Sequence, residues 1–172
     1  MKANLQSKAY AAVSHFYGNK RAKRSGVLYI KHIDEGLEIL TSLGATQVVK
    51  DAWCLHPLLQ DDKDLITTLS SGYLQGQDPA AIVLAMEYRQ WANAHLSHHD
   101  SKIPTWGPLE EVKQMLIADK MQNRKDFEMY ILGGGIDRDD CRLSDYFKEW
   151  FGALGIDEGW YKTWICSVKK QH

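Results

Sequence analysis

Apolar residues recur at gaps of three and four along most of the chain, and no stretch alternates apolar with polar residues long enough to demand a sheet. From Ile30, the positions Ile33, Leu37, Leu40 and Leu43 share one helical face, with Asp34 available near its start as a cap and Gly44 to close it. A second helix is predicted from about Thr46, where Val49, Ala52, Trp53 and His56 point the same way, so a histidine lies on the apolar side. Asp78-Pro79 opens a third, long segment through Met86, Trp91 and Leu96, with proline in the first turn as helix starts prefer. It fades near His98-His99-Asp100. Residues 100–108, DSKIPTWGP, read as a loop ahead of the strongest helix, Leu109 to about Tyr130, on which Val112, Leu116, Asp119 and Asn123 form one stripe. Gly133-Gly134-Gly135 breaks the chain, and amphipathic segments follow at Cys141–Leu154 and Asp157–Val168. The expectation is an all-α fold.

Composition narrows the function classes. A chain of 172 residues with 44% hydrophobic and 25% charged residues is expected to form one soluble domain over 1–172. Lys and Arg number 21 against 22 Asp and Glu, a net charge of −1, so there is no global basic field for nucleic acid, and any polyanion site must be local. No signal-length apolar stretch and no window of the ~20 apolar residues that span a bilayer are found, which predicts a cytoplasmic protein with no membrane partner. Cys54, Cys141 and Cys166 are odd in number and lack a CxxC spacing, so neither a disulfide framework nor a thiolate zinc site is encoded.

Four constellations carry chemistry. His32, His56 and Asp119 lie on three helical elements; a lone histidine on an apolar face is ordinarily a satisfied core residue, but an ionised carboxylate on an apolar stripe costs several kcal/mol unless it is compensated. Asp119 therefore needs a partner. Lys20, Arg21, Lys23 and Arg24 form a basic cluster before Ser25-Gly26, to which Lys120, Arg124 and Lys125 are candidates for addition in space; it reads either as a solvated helix end or as a phosphate clamp. HPLLQDDKD, residues 56–64, is either a helix cap or a source of metal and water ligands. His95-x-x-His98-His99-Asp100 has metal-ligand spacing, yet reads more simply as a surface helix terminus. There is no nucleophile elbow, P-loop or dinucleotide fingerprint.

Several of these pieces together resemble a known family. AYAAVSHFYGNKRAKRSGVLYIKHIDEGLEIL is similar to the opening of the HD-domain guanosine-polyphosphate hydrolases, the SpoT/RelA hydrolase domain and its short stand-alone homologues, in which a basic run precedes a Tyr-Ile-x-His, here Tyr29-Ile30-Lys31-His32. AWCLHPLLQDD, residues 52–62, resembles the family's Ala-Ala-Leu-Leu-His-Asp segment with its Glu-Asp pair. MLIADKMQNRKDF, residues 115–127, resembles its Ala-Asp-Lys-x-x-Asn stretch, and Tyr146-Phe147 fits its late aromatic pair. The resemblance spans about 9–154. It implies an HD-type helical bundle with a divalent ion, usually manganese, in a cleft that accepts a guanosine carrying a 3′-pyrophosphate. By that resemblance His32, His56 and Asp119 are the metal ligands, Asn123 and Arg124 support the site, and Lys20, Arg21, Lys23 and Arg24 lie near phosphate.

Two departures bear on activity. The aspartate of the HD dyad is Pro57, which offers no ligand oxygen, and the glutamate of the Glu-Asp pair is Gln60, which takes no proton at neutral pH, leaving Asp61 alone. Proline also disfavours αR geometry at the preceding residue, which predicts a re-aimed His56. Three functions follow. One is a metal-dependent pyrophosphohydrolase, in which a metal-bound water is oriented by Asp61, Gln60 and Asn123 while Lys20, Arg21, Lys23, Arg24, Lys120 and Arg124 hold phosphate. Another is a non-catalytic protein that senses or sequesters a purine nucleotide polyphosphate. The last is a scaffold for a protein partner or a second copy, presenting Trp150, Trp160 and Trp164.

Overall fold

The computed structural model describes residues 7–23, 25–96, 109–130 and 139–169, and they form an all-α fold. Eight helices are found among these residues: α1 (Lys8–Tyr17), α2 (Ile30–Ser42), α3 (Gln47–Gln60), α4 (Asp62–Ser71), α5 (Pro79–Leu96), α6 (Glu110–Tyr130), α7 (Asp139–Leu154) and α8 (Glu158–Lys169). None is long and apolar enough to cross a membrane. Arg24, His98, His99, Asp100, the 100–108 loop and the triple glycine at 133–135 lie outside the described residues, as does the side chain of His95.

The start signals act as the residue types predict. Ser7 Oγ accepts from the Tyr10 amide at 3.1 Å to cap α1, Thr46 Oγ1 accepts from the Val49 amide at 3.4 Å to cap α3, and Asp78 Oδ1 takes the Ala80 amide at 2.8 Å beside Pro79. Gly44 ends α2 at φ 70°, which a side chain would resist, and lets the Ala45 amide reach back to the Leu40 carbonyl at 2.9 Å. Asp34 is not the α2 cap. It lies inside the helix and accepts from the Tyr10 hydroxyl at 2.7 Å, tying α1 to α2. The segment after Gln60 is not a plain cap either, because Asp61 opens α4 by accepting from the Lys63 amide at 2.8 Å.

Helix α3 is the axis of the fold and packs against α1, α2, α4, α5 and α6. Val49, Ala52, Trp53, Cys54, Leu55, Leu58 and Leu59 bury nearly its whole circumference, the pattern of an interior helix rather than an amphipathic one. Its approach to α2 is set at Gly36, where any Cβ would collide with the Trp53 indole. The indole N–H then donates to the Ile33 carbonyl at 3.1 Å, so the bulkiest side chain of α3 is pinned between the two histidine-bearing helices. Helix α6 packs on α2, α5 and α7 and is also buried over most of its length.

Candidate functional site

The two histidines predicted as ligands meet around Trp53. The His32 ring on α2 lies 4.9 Å from the indole and 5.5 Å from the His56 ring, and the His56 ring lies 4.3 Å from the indole and 5.0 Å from Tyr88 of α5. Each imidazole is oriented through Nδ1. Gln122 on α6 donates through its amide nitrogen to Glu35 at 3.1 Å and to Asp126 at 2.9 Å, so its oxygen accepts from His32 Nδ1 at 2.6 Å. His56 Nδ1 donates to the Trp53 carbonyl at 2.5 Å.

Pro57 explains that last bond. In a regular helix the Trp53 carbonyl would receive the amide of residue 57, but proline has none, and the orphaned oxygen is taken by the imidazole three residues on. His56 nevertheless stays within an unbroken α3, contrary to the expectation that proline re-aims its backbone. Burial, with His32 close by, depresses the His56 pKa to about 3, so this imidazole is neutral with Nε2 as its acceptor.

Asp119 has the partners its position requires. Lys120 Nζ donates to Oδ2 at 2.8 Å, Asn123 Nδ2 donates to Oδ1 at 2.8 Å, and the Tyr88 hydroxyl also bonds this carboxylate. Burial alone would raise its pKa, but the adjacent ammonium together with His32 and His56 more than offsets that and holds the group below the usual carboxylate range. His32 Nε2 faces Oδ1 at 3.9 Å. Lys120 was a candidate for binding phosphate; only 1% of its side chain is exposed, and its ammonium is committed to Asp119, the Tyr146 hydroxyl at 3.1 Å and the faces of Trp150 and Tyr146.

Arg124 is separated from this cluster. It donates to Glu128 at 2.8 Å and Glu158 at 2.6 Å and lies 4.5 Å from the rings of both Phe151 and Tyr161, so it joins α6 to α7 and α8. Trp150 and Trp164, predicted as interface aromatics, belong to the core, and Trp160 is partly buried against it.

A cavity of about 580 Å³ is lined by Phe16, Tyr17, Lys20, Tyr29, Pro57, Gln60, Asp61, Asp62, Asp64 and Asn93, with neither histidine in its lining. Its aromatic wall comes from the end of α1 and the start of α2, where Tyr17 and Tyr29 stack at 5.3 Å and Lys20 Nζ lies 4.6 Å over Phe16. Lys23 is exposed on the same connection, and Arg21 is tied there to the Gly26 carbonyl at 2.8 Å. Gln60, Asp61 and Pro57 form the opposite wall. Arg89 and Asn93 of α5 donate to the Gln60 carbonyl at 3.2 and 3.0 Å, and Arg89 also pairs with Asp62.

Sequence reasoning missed Tyr88, Gln122 and Glu35. Tyr88 and Gln122 touch the site as polar atoms on otherwise apolar helix faces, and the signal was the same one that marked Asp119. Glu35 belongs to a second buried pair, with Lys125 Nζ at 2.7 Å.

The residues do not suit a divalent ion as arranged. Pro57 supplies no oxygen, and the one carboxylate of the cluster is already neutralised by a buried ammonium and hydrogen-bonded through both oxygens. Comparison of the chain with protein-family models, with curated proteins and with solved structures finds no match.

Proposed function

We propose that this is an HD-type bundle that binds a purine nucleotide carrying a pyrophosphate and does not hydrolyse it. The observation that carries the reading is the make-up of the cavity: an aromatic wall from Phe16, Tyr17 and Tyr29 with Lys20 faces a wall in which Pro57 and Gln60 stand where the resembled hydrolases carry carboxylates. The aromatic faces suit a nucleobase, whose stacking on such rings is tolerant of base identity. Lys20 and Lys23, with Arg21 beside them, suit the phosphates. The acidic residues of the opposite wall are partly compensated, since Asp62 is paired with Arg89 and Asp61 caps α4.

Catalysis lacks its agents. The loss of an ionisable side chain at position 57 and of a proton acceptor at position 60 leaves Asp61, already engaged by the Lys63 amide, without a partner to position a water. Calorimetric titration with guanosine 5′-diphosphate 3′-diphosphate, followed by anion-exchange analysis of the recovered nucleotide, tests both halves. Saturable binding with intact nucleotide is expected, weakened by Lys20→Ala. Release of pyrophosphate by the wild type overturns the non-catalytic half, and absence of binding overturns the whole.

A further inference from the structure

We propose that Asn93 and Asp64 read the base of the bound nucleotide, accepting from a base edge that carries two adjacent N–H donors, and that the phosphates lie toward Lys20, away from the corner between α3 and α4. The inference rests on the reading of the cavity as a nucleotide site. It adds what stacking on aromatic rings does not supply, a choice between bases.

The two walls of the cavity differ in what they offer. Among the described lining residues Lys20 is the one cation, and it sits on the aromatic side, 4.6 Å over Phe16. The facing wall offers oxygen. Asn93 Nδ2 is committed to the Gln60 carbonyl at 3.0 Å, a partner that only accepts, so the orientation of the amide is fixed and Oδ1 is left as an acceptor. Arg89 answers Asp62, and the Lys63 amide takes one oxygen of Asp61, whereas Asp64, in the first turn of α4, makes no hydrogen bond among the described residues. The Asp64 carboxylate is felt on the aromatic side: burial first, then Tyr29 and Asp64, push the Tyr17 hydroxyl up.

Charge decides which end of a nucleotide meets which wall. A pyrophosphate beside Asp61 and Asp64 would bring like charges together, whereas on the aromatic side it meets the Lys20 ammonium, with Arg21 and Lys23 on the same connection. The base then faces the oxygens. Guanine presents N1–H and its 2-amino group side by side, and both donate there. Adenine carries a lone pair at N1, which would face the same oxygens without a proton between them, and hypoxanthine keeps N1–H but lacks the 2-amino group. The base is thus read from α4 and α5, and the phosphate end is held away from Asp61.

The test titrates the full chain calorimetrically with the 5′-diphosphate 3′-diphosphates of guanosine, inosine and adenosine. The guanosine form should bind about fivefold more tightly than the inosine form, the worth of one hydrogen bond, and about thirtyfold more tightly than the adenosine form. Asn93→Leu should cut the guanosine-to-adenosine ratio about fivefold. Asp64→Ala, on a different helix, should do the same, and carries the test if Asn93→Leu does not fold. Lys20→Ala should weaken all three ligands alike and keep their ratio, because it acts at the phosphate end. Equal affinity of the wild type for the three forms, or a ratio that survives both Asn93→Leu and Asp64→Ala, overturns this inference and leaves the nucleotide reading standing. Binding of none of the three overturns both.

Discussion

Helix α6 carries two buried lysines five residues apart, and they solve the same problem differently. Lys120 meets one carboxylate, Asp119, whose other oxygen faces His32 Nε2 at 3.9 Å. Lys125, fully buried, meets two carboxylates, Glu35 at 2.7 Å and Asp126 at 2.6 Å, at the seam between α6 and α2. Both ammonium groups are held above the ordinary lysine range despite burial, because the neighbouring carboxylates outweigh desolvation. The surroundings separate their roles. The Lys125 cluster ties α6 to α2, whereas the Lys120 cluster ties α6 to Tyr146 and Trp150 of α7 and faces His32 across Asp119.

The largest expected effect lies in the structural cluster. Lys125→Met would remove the buried ammonium that Glu35 and Asp126 share, and should cost about 5 kcal/mol in denaturant unfolding. Lys120→Met should cost less, about 3 kcal/mol, because Asp119 keeps its bonds from Asn123 and Tyr88. Equal losses would break the contrast.

Acid should find the cluster around His56 first. His56 has a pKa of about 3 when folded and a usual value near 6.5, so the unfolded chain binds the extra proton between them and stability falls as the pH drops below 6.5. The loss should approach about 1.4 kcal/mol per pH unit, read as melting temperature against pH. His56→Gln should flatten this slope. Asp119, with a depressed value, adds its own loss only below its unfolded value of 3.8. The smallest effect sharpens the comparison: Gln122 bonds both clusters, so a double-mutant cycle between Lys120→Met and Lys125→Met should show coupling of about 0.5–1 kcal/mol that disappears in a Gln122→Ala background.

Much of the architecture was legible because its signals are local. The period of α2, α3, α5 and α6 and the residues Thr46, Gly44 and Asp78-Pro79 mark elements that the structure forms within a few residues. Helix α4 escaped, since DKDLITTLSS has a weak apolar face and leaves Ile66 and Leu69 exposed. In the site, the need of Asp119 for a partner was readable from its place on an apolar stripe, but the partner was not. Lys120 is adjacent in sequence, where helix geometry gives no reason for two side chains to meet, and it reads as a surface cation until Tyr146 and Trp150 are packed over it. Arg124, one turn on, reads identically in the sequence and ends up against two aromatic rings of α7 and α8.

The missing amide at Pro57 makes an acidic substitution at that position a double event. An aspartate there would contribute its carboxylate and also hand back a main-chain hydrogen that competes for the Trp53 oxygen, unlatching the neighbouring ring. Pro57→Ala, which returns the hydrogen without the acid, separates the two. An acidic residue placed at 57 therefore loosens the very imidazole beside which it would stand.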